Sequence, residues 1–188
     1  MFKDLILKNR SYRRFYEDER ISYDTLTELV DLARLSPNGA NRQGLKFFLS
    51  AGDKNEDIMS CLGWAGYLKD WGGPGPGERP AAYIVILNDR MIGGGEADAG
   101  IAAMSILLGA AEKGLGGCMF GAVDRKKLAS ILNLSENMDI TLVVALGKPK
   151  ETVVLEEIAS DGDIKYWRDE NQVHHVPKRK LEDIIYKI

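Results

Sequence analysis

The chain has 188 residues, with 25 Lys and Arg against 28 Asp and Glu and a net charge of -3. Hydrophobic residues make up 45% and charged residues 28%, the profile of a globular chain long enough for a full core, so residues 1–188 are expected to form a single domain. A slightly negative charge excludes a general nucleic-acid or membrane-surface binder, which needs a broad positive field.

Phe2, Leu5 and Ile6 follow helical spacing and predict a short opening helix ending near Asn9. After a basic segment, RSYRRFYEDER, Ser22 reads as the N-cap of a helix whose apolar face carries Leu26, Leu29, Val30 and Ala33, and Pro37 stops it. Asn38 to Gly44 is a loop, and Lys46 to Ser50 a strand entering the core. Asp53 to Leu62 predicts a further helix, while the Gly- and Pro-rich stretch Trp71 to Pro80 is expected to be irregular. Ala81 to Leu87 has the length and apolarity of a buried strand.

The longest predicted helix runs from Glu96 to Lys113, with Gly114 as its left-handed stop. Its apolar residues, Ile101, Met104, Ile106, Leu107 and Leu108, are distributed all round, so burial on every side is expected, at the centre of a monomer or against a partner subunit. Cys118 to Val123 predicts a short strand, Asp124 caps a helix with Leu128, Ile131 and Leu132, and Ile140 to Leu146 is a second buried strand. From Asp161 onward the chain is mostly polar, apolar residues returning at Leu181, Ile184 and Ile185. No apolar run reaches the roughly 20 residues of a membrane span, and the opening MFKDLILKNR is broken by Lys3 and Asp4, so a cytoplasmic protein is expected.

Four segments carry candidate chemistry. Arg10, Ser11, Arg13 and Arg14 put three guanidiniums and a hydroxyl within five residues, which suits a phosphate monoester or, alternatively, a solvated basic turn balanced by Glu17, Asp18 and Glu19. In SPNGANRQ, Asn38, Asn41 and Gln43 offer amide groups able to read the edge of a flat heterocycle. In GLGGCMFG, residues 114–121, the glycines follow a helix and precede a strand, the reverse of a dinucleotide fingerprint, but such backbone can approach a flat ring closely. Lys178, Arg179 and Lys180 form a second basic cluster. Other chemistry is excluded: His174 and His175 lack zinc-ligand spacing, Cys118 lies in an apolar strand, Cys61 and Cys118 make no disulfide framework, and there is no nucleophile elbow or Walker loop.

Taken in order, these segments resemble the FMN-dependent nitroreductase family. RSYRRF is similar to that family's R-R-S-x-R-x-F signature, SPNGANRQGLKFF to its A-P-S-x-x-N-x-Q-P-W-x-F, and LVVALGKPKE and VPKRKLEDII to its closing half and basic C-terminal motif. The resemblance runs from about Leu5 to Leu146, with the tail added. It implies an α+β fold, a central, mostly antiparallel β-sheet flanked by helices, in an intertwined homodimer with FMN at the interface. It also implies that Arg10, Ser11 and Arg13 hold the phosphate or the pyrimidine end of the flavin, with Arg14 the alternative to Arg13. Asn41 and its loop would come from the neighbouring subunit, the backbone at Phe120 and Gly121 would face the flavin N5 edge, and Lys178 and Arg179 would complete the phosphate site. Two departures stand out: Asn9 takes the place of the signature's first Arg, and Gly44-Leu45 that of Pro-Trp. The family's excursion over the flavin would shrink to Trp64–Arg79. The activity implied is NAD(P)H-dependent reduction of nitroaromatics, quinones or similar small acceptors; the alternatives are a specialised oxidase or dehalogenase of the same fold, or a flavin-binding or storage protein.

Overall fold

In the computed structural model, which describes residues 1–186, the apolar runs at the centre of the sequence pair first. Strand β3 (Ala82–Asp89) lies between β2 (Leu45–Ser50) and the long β5 (Met138–Pro149), antiparallel to both. The far edge of β5 is shared: β4 (Gly116–Phe120) pairs with its middle and the two-residue β1 (Phe15–Tyr16) with its end. This central five-stranded sheet is antiparallel throughout.

Because side chains alternate along a strand, β3 and β5 feed two cores. On one face Ile84, Ile86, Val144 and Leu146 pack against Leu26, Leu29 and Ala33 of helix α2 (Tyr23–Leu35) and against helix α4 (Glu96–Glu112). On the other, Tyr83, Val85, Leu87, Val143 and Ala145 meet Ile58 of helix α3 (Asn55–Met59) and Leu128 of helix α5 (Arg125–Ile131). Short helix α1 (Phe2–Lys8) leads into the basic segment. The two caps read from sequence are formed: the Ser22 hydroxyl accepts from Thr25 N at 3.0 Å and the Asp124 carboxylate from Lys127 N at 3.1 Å. Gly114 ends α4 with φ +75°.

Three expectations are corrected. Helix α3 covers only five residues of the ten expected, since the chain turns through Gly52–Lys54 before it and Leu62 leaves to bridge Val123. Helix α4 is not buried on every side of its own chain: Ala99, Ala102, Ala103, Ile106, Leu107 and Ala110 are buried, but Ile101 and Met104 are exposed. Strand β4 runs from Gly116 to Phe120 instead of Cys118 to Val123, so two glycines expected to precede the strand belong to it.

The polar tail is also ordered into a second sheet. Strands β6 (Val153–Ile158) and β8 (His174–Arg179) run parallel, and β7 (Trp167–Arg168) pairs antiparallel with β8. A final turn of helix, α6 (Leu181–Ile184), leaves Leu181, Ile184, Ile185 and Tyr186 exposed. Among the described residues no helix is long and apolar enough to cross a membrane.

Candidate functional site

The basic segment, β4 and the second sheet converge on one cavity of about 270 Å³. Tyr12 N donates to Gly117 O at 3.0 Å and Ser11 bridges Gly117, so the segment lies along β4. Arg10, Ser11 and Arg13 line the cavity from this side, Met104 and Leu107 from α4, Gly117 and Met119 from β4, and Tyr166, His174 and Lys178 from the tail. Two basic clusters more than 160 residues apart in sequence thus share one wall, as Arg13 Nη1 lies 3.4 Å from His174 Nε2.

Among the described residues no Asp or Glu lines this cavity. Arg10, Arg13 and Lys178 make no ion pair among the described residues, although Arg10 donates to the Ile6 carbonyl at 2.7 Å. The Arg10 Nε is buried without a hydrogen-bond partner. Arg10 and Arg13 are half-buried and Lys178 is exposed, so solvent meets part of their charge, and their mutual repulsion favours an anion between them. A hydroxyl, two guanidiniums and an ammonium are donors of the kind that suit a phosphate monoester.

Arg13 is held in place by aromatic and imidazole neighbours. Its guanidinium lies 4.9 Å from the Tyr166 ring centroid. His174 is 1% exposed, and burial, with Arg13, Arg168 and His175 nearby, depresses its pKa to about 4, so it is a neutral acceptor at neutral pH. The adjacent His175 behaves oppositely: burial opposes its cation, but Nδ1 donating to Glu156 at 2.6 Å and the Asp169 carboxylate 3.5 Å from Nε2 outweigh it and raise the pKa.

The other candidates are not all brought here. Arg14 points away from the cavity, to Glu78 at 3.2 Å and the Trp71 ring at 5.7 Å. Arg179 donates to the Ser160 carbonyl instead of lining the cavity, because neighbours on a strand face opposite sides. Phe120 is buried against Trp64, 4.7 Å between centroids, so that only its backbone is available to a ligand, and Gly121 lies at the surface with open space beside it. Asn38 and Gln43 line a separate cavity of about 160 Å³ with Ile101, Ala102 and Asp98. Asn41 lines neither. Their loop is strained: Ala40, Asn41 and Gln43 all have φ between 50° and 55°. Asp98 anchors it, accepting from Gly39 N at 2.8 Å and Gly95 N at 3.2 Å, and these bonds hold the carboxyl below its usual pKa. Within one chain, therefore, the amide-rich loop and the cationic cavity occupy different places, separated along the exposed face of α4.

Sequence reasoning did not select Met104, Met119, Tyr166 or His174, all in the cavity wall. The available signal was the run Tyr166-Trp167-Arg168, aromatic and basic within an otherwise polar tail. The Trp64–Arg79 segment is tied to the same region, with the Tyr67 ring tilted against Tyr166 at 4.9 Å between centroids and Phe15 N donating to Glu78 O at 3.0 Å.

Solved structures share this architecture. The chain resembles a nitroreductase family protein of Streptococcus pneumoniae over the full length of both, with TM-score 0.74 and 16% identity. A nitroreductase family protein of Clostridium novyi NT matches 80% of the chain and 87% of its own, with TM-score 0.66 and 24% identity. An FMN-dependent nitroreductase of Clostridium difficile matches 78% and 87%, with TM-score 0.63 and 21% identity. At these identities the likeness is one of fold. The nitroreductase family model itself matches residues 6–69 and 68–148, from the basic segment to the end of the central sheet, and the chain belongs to the nitroreductase family.

Proposed function

We propose that this protein is an FMN-dependent oxidoreductase that uses NAD(P)H to reduce nitroaromatics, quinones or similar small acceptors, and that it works as a homodimer of single-domain chains. The observation that carries the proposal is the acid-free cationic cavity formed by Arg10, Ser11, Arg13 and Lys178. FMN, when bound, supplies the redox chemistry, taking up a hydride and releasing electrons to the acceptor.

The chain's own residues bind and orient. Arg10, Ser11 and Lys178 would hold the phosphate, and Arg13 would offset negative charge at the pyrimidine end. At about 270 Å³ the cavity sits below the roughly 300–1,000 Å³ of most small-molecule sites, so one chain accommodates only part of the cofactor. The remainder falls to a second copy. Exposed Ile101 lines the amide-rich cavity and exposed Met104 the cationic one, on the same helix face. An isologous pairing across that face brings Asn38, Asn41 and Gln43 of one copy towards the cationic cavity of the other. Exposed Leu181, Ile184, Ile185 and Tyr186 give the C-terminal turn apolar surface to bury in the same assembly.

Comparing FMN with riboflavin, which lacks the phosphate, tests the assignment. Arg10→Ala should weaken FMN by about 1.5–3 kcal/mol, the worth of a charged donor, and leave riboflavin nearly unchanged. Equal weakening of both would remove Arg10 from the phosphate site.

A further inference from the structure

Glu151 lies outside the cavity wall, just past the end of β5, yet both halves of that wall are tied to it. Its side chain is 2% exposed. The carboxylate accepts from Arg13 N, from Arg14 N at 3.2 Å and from Arg168 Nη2 at 2.9 Å. Arg168, itself 7% exposed, lies over the Trp71 ring at 4.2 Å. A carboxylate buried this deeply is stable only when its lone pairs are used and its charge is met, and here both conditions hold.

The geometry of the two amides is informative. Successive N–H groups of an extended strand point to opposite sides, yet those of Arg13 and Arg14 both reach Oε1 of Glu151. The chain therefore bends around the carboxylate at the point where its pairing with the β5 end stops, at Lys150 N to Arg14 O, 3.0 Å. That bend separates two adjacent guanidiniums: Arg13 enters the cavity, while Arg14 turns to Glu78 and Trp71. Through Arg168 the same carboxylate holds β7, whose partner strand β8 carries His174 opposite Arg168 and, further on, Lys178.

We propose that Glu151 is a positioning residue that selects Arg13 over Arg14 for the flavin site and locks the N-terminal wall of the cavity to its C-terminal wall. Only the flavin-affinity arm of the test rests on the FMN reading.

Two double variants separate positioning from simple stability. Glu151→Gln with Arg168→Gln keeps an acceptor oxygen for the two amides; Glu151→Met with Arg168→Met removes it without leaving a buried charge unpaired. Amide hydrogen exchange on the flavin-free chain should show protection of residues 11–15 retained in the Gln pair and lost in the Met pair, with β3 and β5 unchanged. FMN affinity should fall by about tenfold in the Met pair, and this loss should disappear when both proteins also carry Arg13→Ala. Unchanged protection at 11–15 in the Met pair, or an equal loss of affinity with and without Arg13, would overturn the proposal. Should the Met pair not fold, Arg168→Met alone decides: residues 11–15 stay protected while 166–176 exchange faster, and the absence of that split refutes the link. If the unchanged chain binds neither FMN nor riboflavin, the flavin reading fails while the exchange pattern still judges the clip.

Discussion

Acidification should destabilise this protein through His174 well before most of its carboxylates are protonated. His174 is 1% exposed and faces Arg13, Arg168, His175 and the Tyr166 ring, 5.2 Å away. In the folded chain its pKa is depressed from 6.5 to about 4, so between these values the unfolded chain binds the extra proton. Stability is then full above the unfolded value and falls as pH drops through the window, levelling out near the folded value. The shift of about 2.5 units sets a ceiling of about 3 kcal/mol at 1.36 kcal/mol per unit. Solvent screening of the partly exposed Arg13 guanidinium lowers the expectation to about 2 kcal/mol. Urea denaturation from about pH 7 to about pH 4, on the parent and on His174→Gln, which carries no titrating ring, measures the effect. The difference in unfolding free energy between the two should change by about 2 kcal/mol across the window, in the direction of a weakening parent. Parallel curves, or a parent that gains stability relative to the variant as pH falls, would refute the reasoning.

Other outcomes follow from packing and capping. A Cβ at Gly147 would lie 2.6–2.8 Å from the ring and Cβ of fully buried Phe15, so Gly147→Ala should cost about 1–3 kcal/mol in denaturant unfolding; a neutral result would mean that β1 shifts freely. Ser22→Ala removes the side-chain acceptor of Thr25 N and should cost about 1 kcal/mol, read as a lower urea midpoint at unchanged slope. Sedimentation equilibrium should find two chains at micromolar concentration, and Met104→Glu on the exposed face of α4 should shift the balance to monomer. A wild-type monomer saturated with flavin would exclude the shared site. Steady-state rates with NAD(P)H and a quinone should give parallel reciprocal plots, whereas intersecting plots would mean that both substrates bind together.

The elements legible in the sequence are those fixed by neighbours in the chain. Ser22 and Asp124 cap helices a few residues away, Gly114 takes the left-handed turn that only local geometry demands, and the apolar runs of β3 and β5 announce burial on both faces. The second sheet was not legible, because its strands bury polar groups whose partners are remote: His174 sits beside Arg13, and Arg168 beside Glu151. The choice between Arg13 and Arg14 is of the same kind. Both are arginines in one short segment, and the carboxylate that tells them apart lies 137 residues beyond Arg14. The sequence left the covering of α4 undecided for a related reason. Apolar residues all round a helix announce burial but not by which chain, and Ile101 and Met104 are left uncovered by their own.

On the proposed reading, the acid-free cavity receives the phosphate of FMN. Isothermal titration of the flavin-free protein with FMN and with riboflavin, for the parent and for Lys178→Ala, tests it most directly. Tight FMN binding, weaker riboflavin binding and a reduced preference for FMN in Lys178→Ala are expected. A parent that binds both flavins equally, or shows no heat with either, would contradict it.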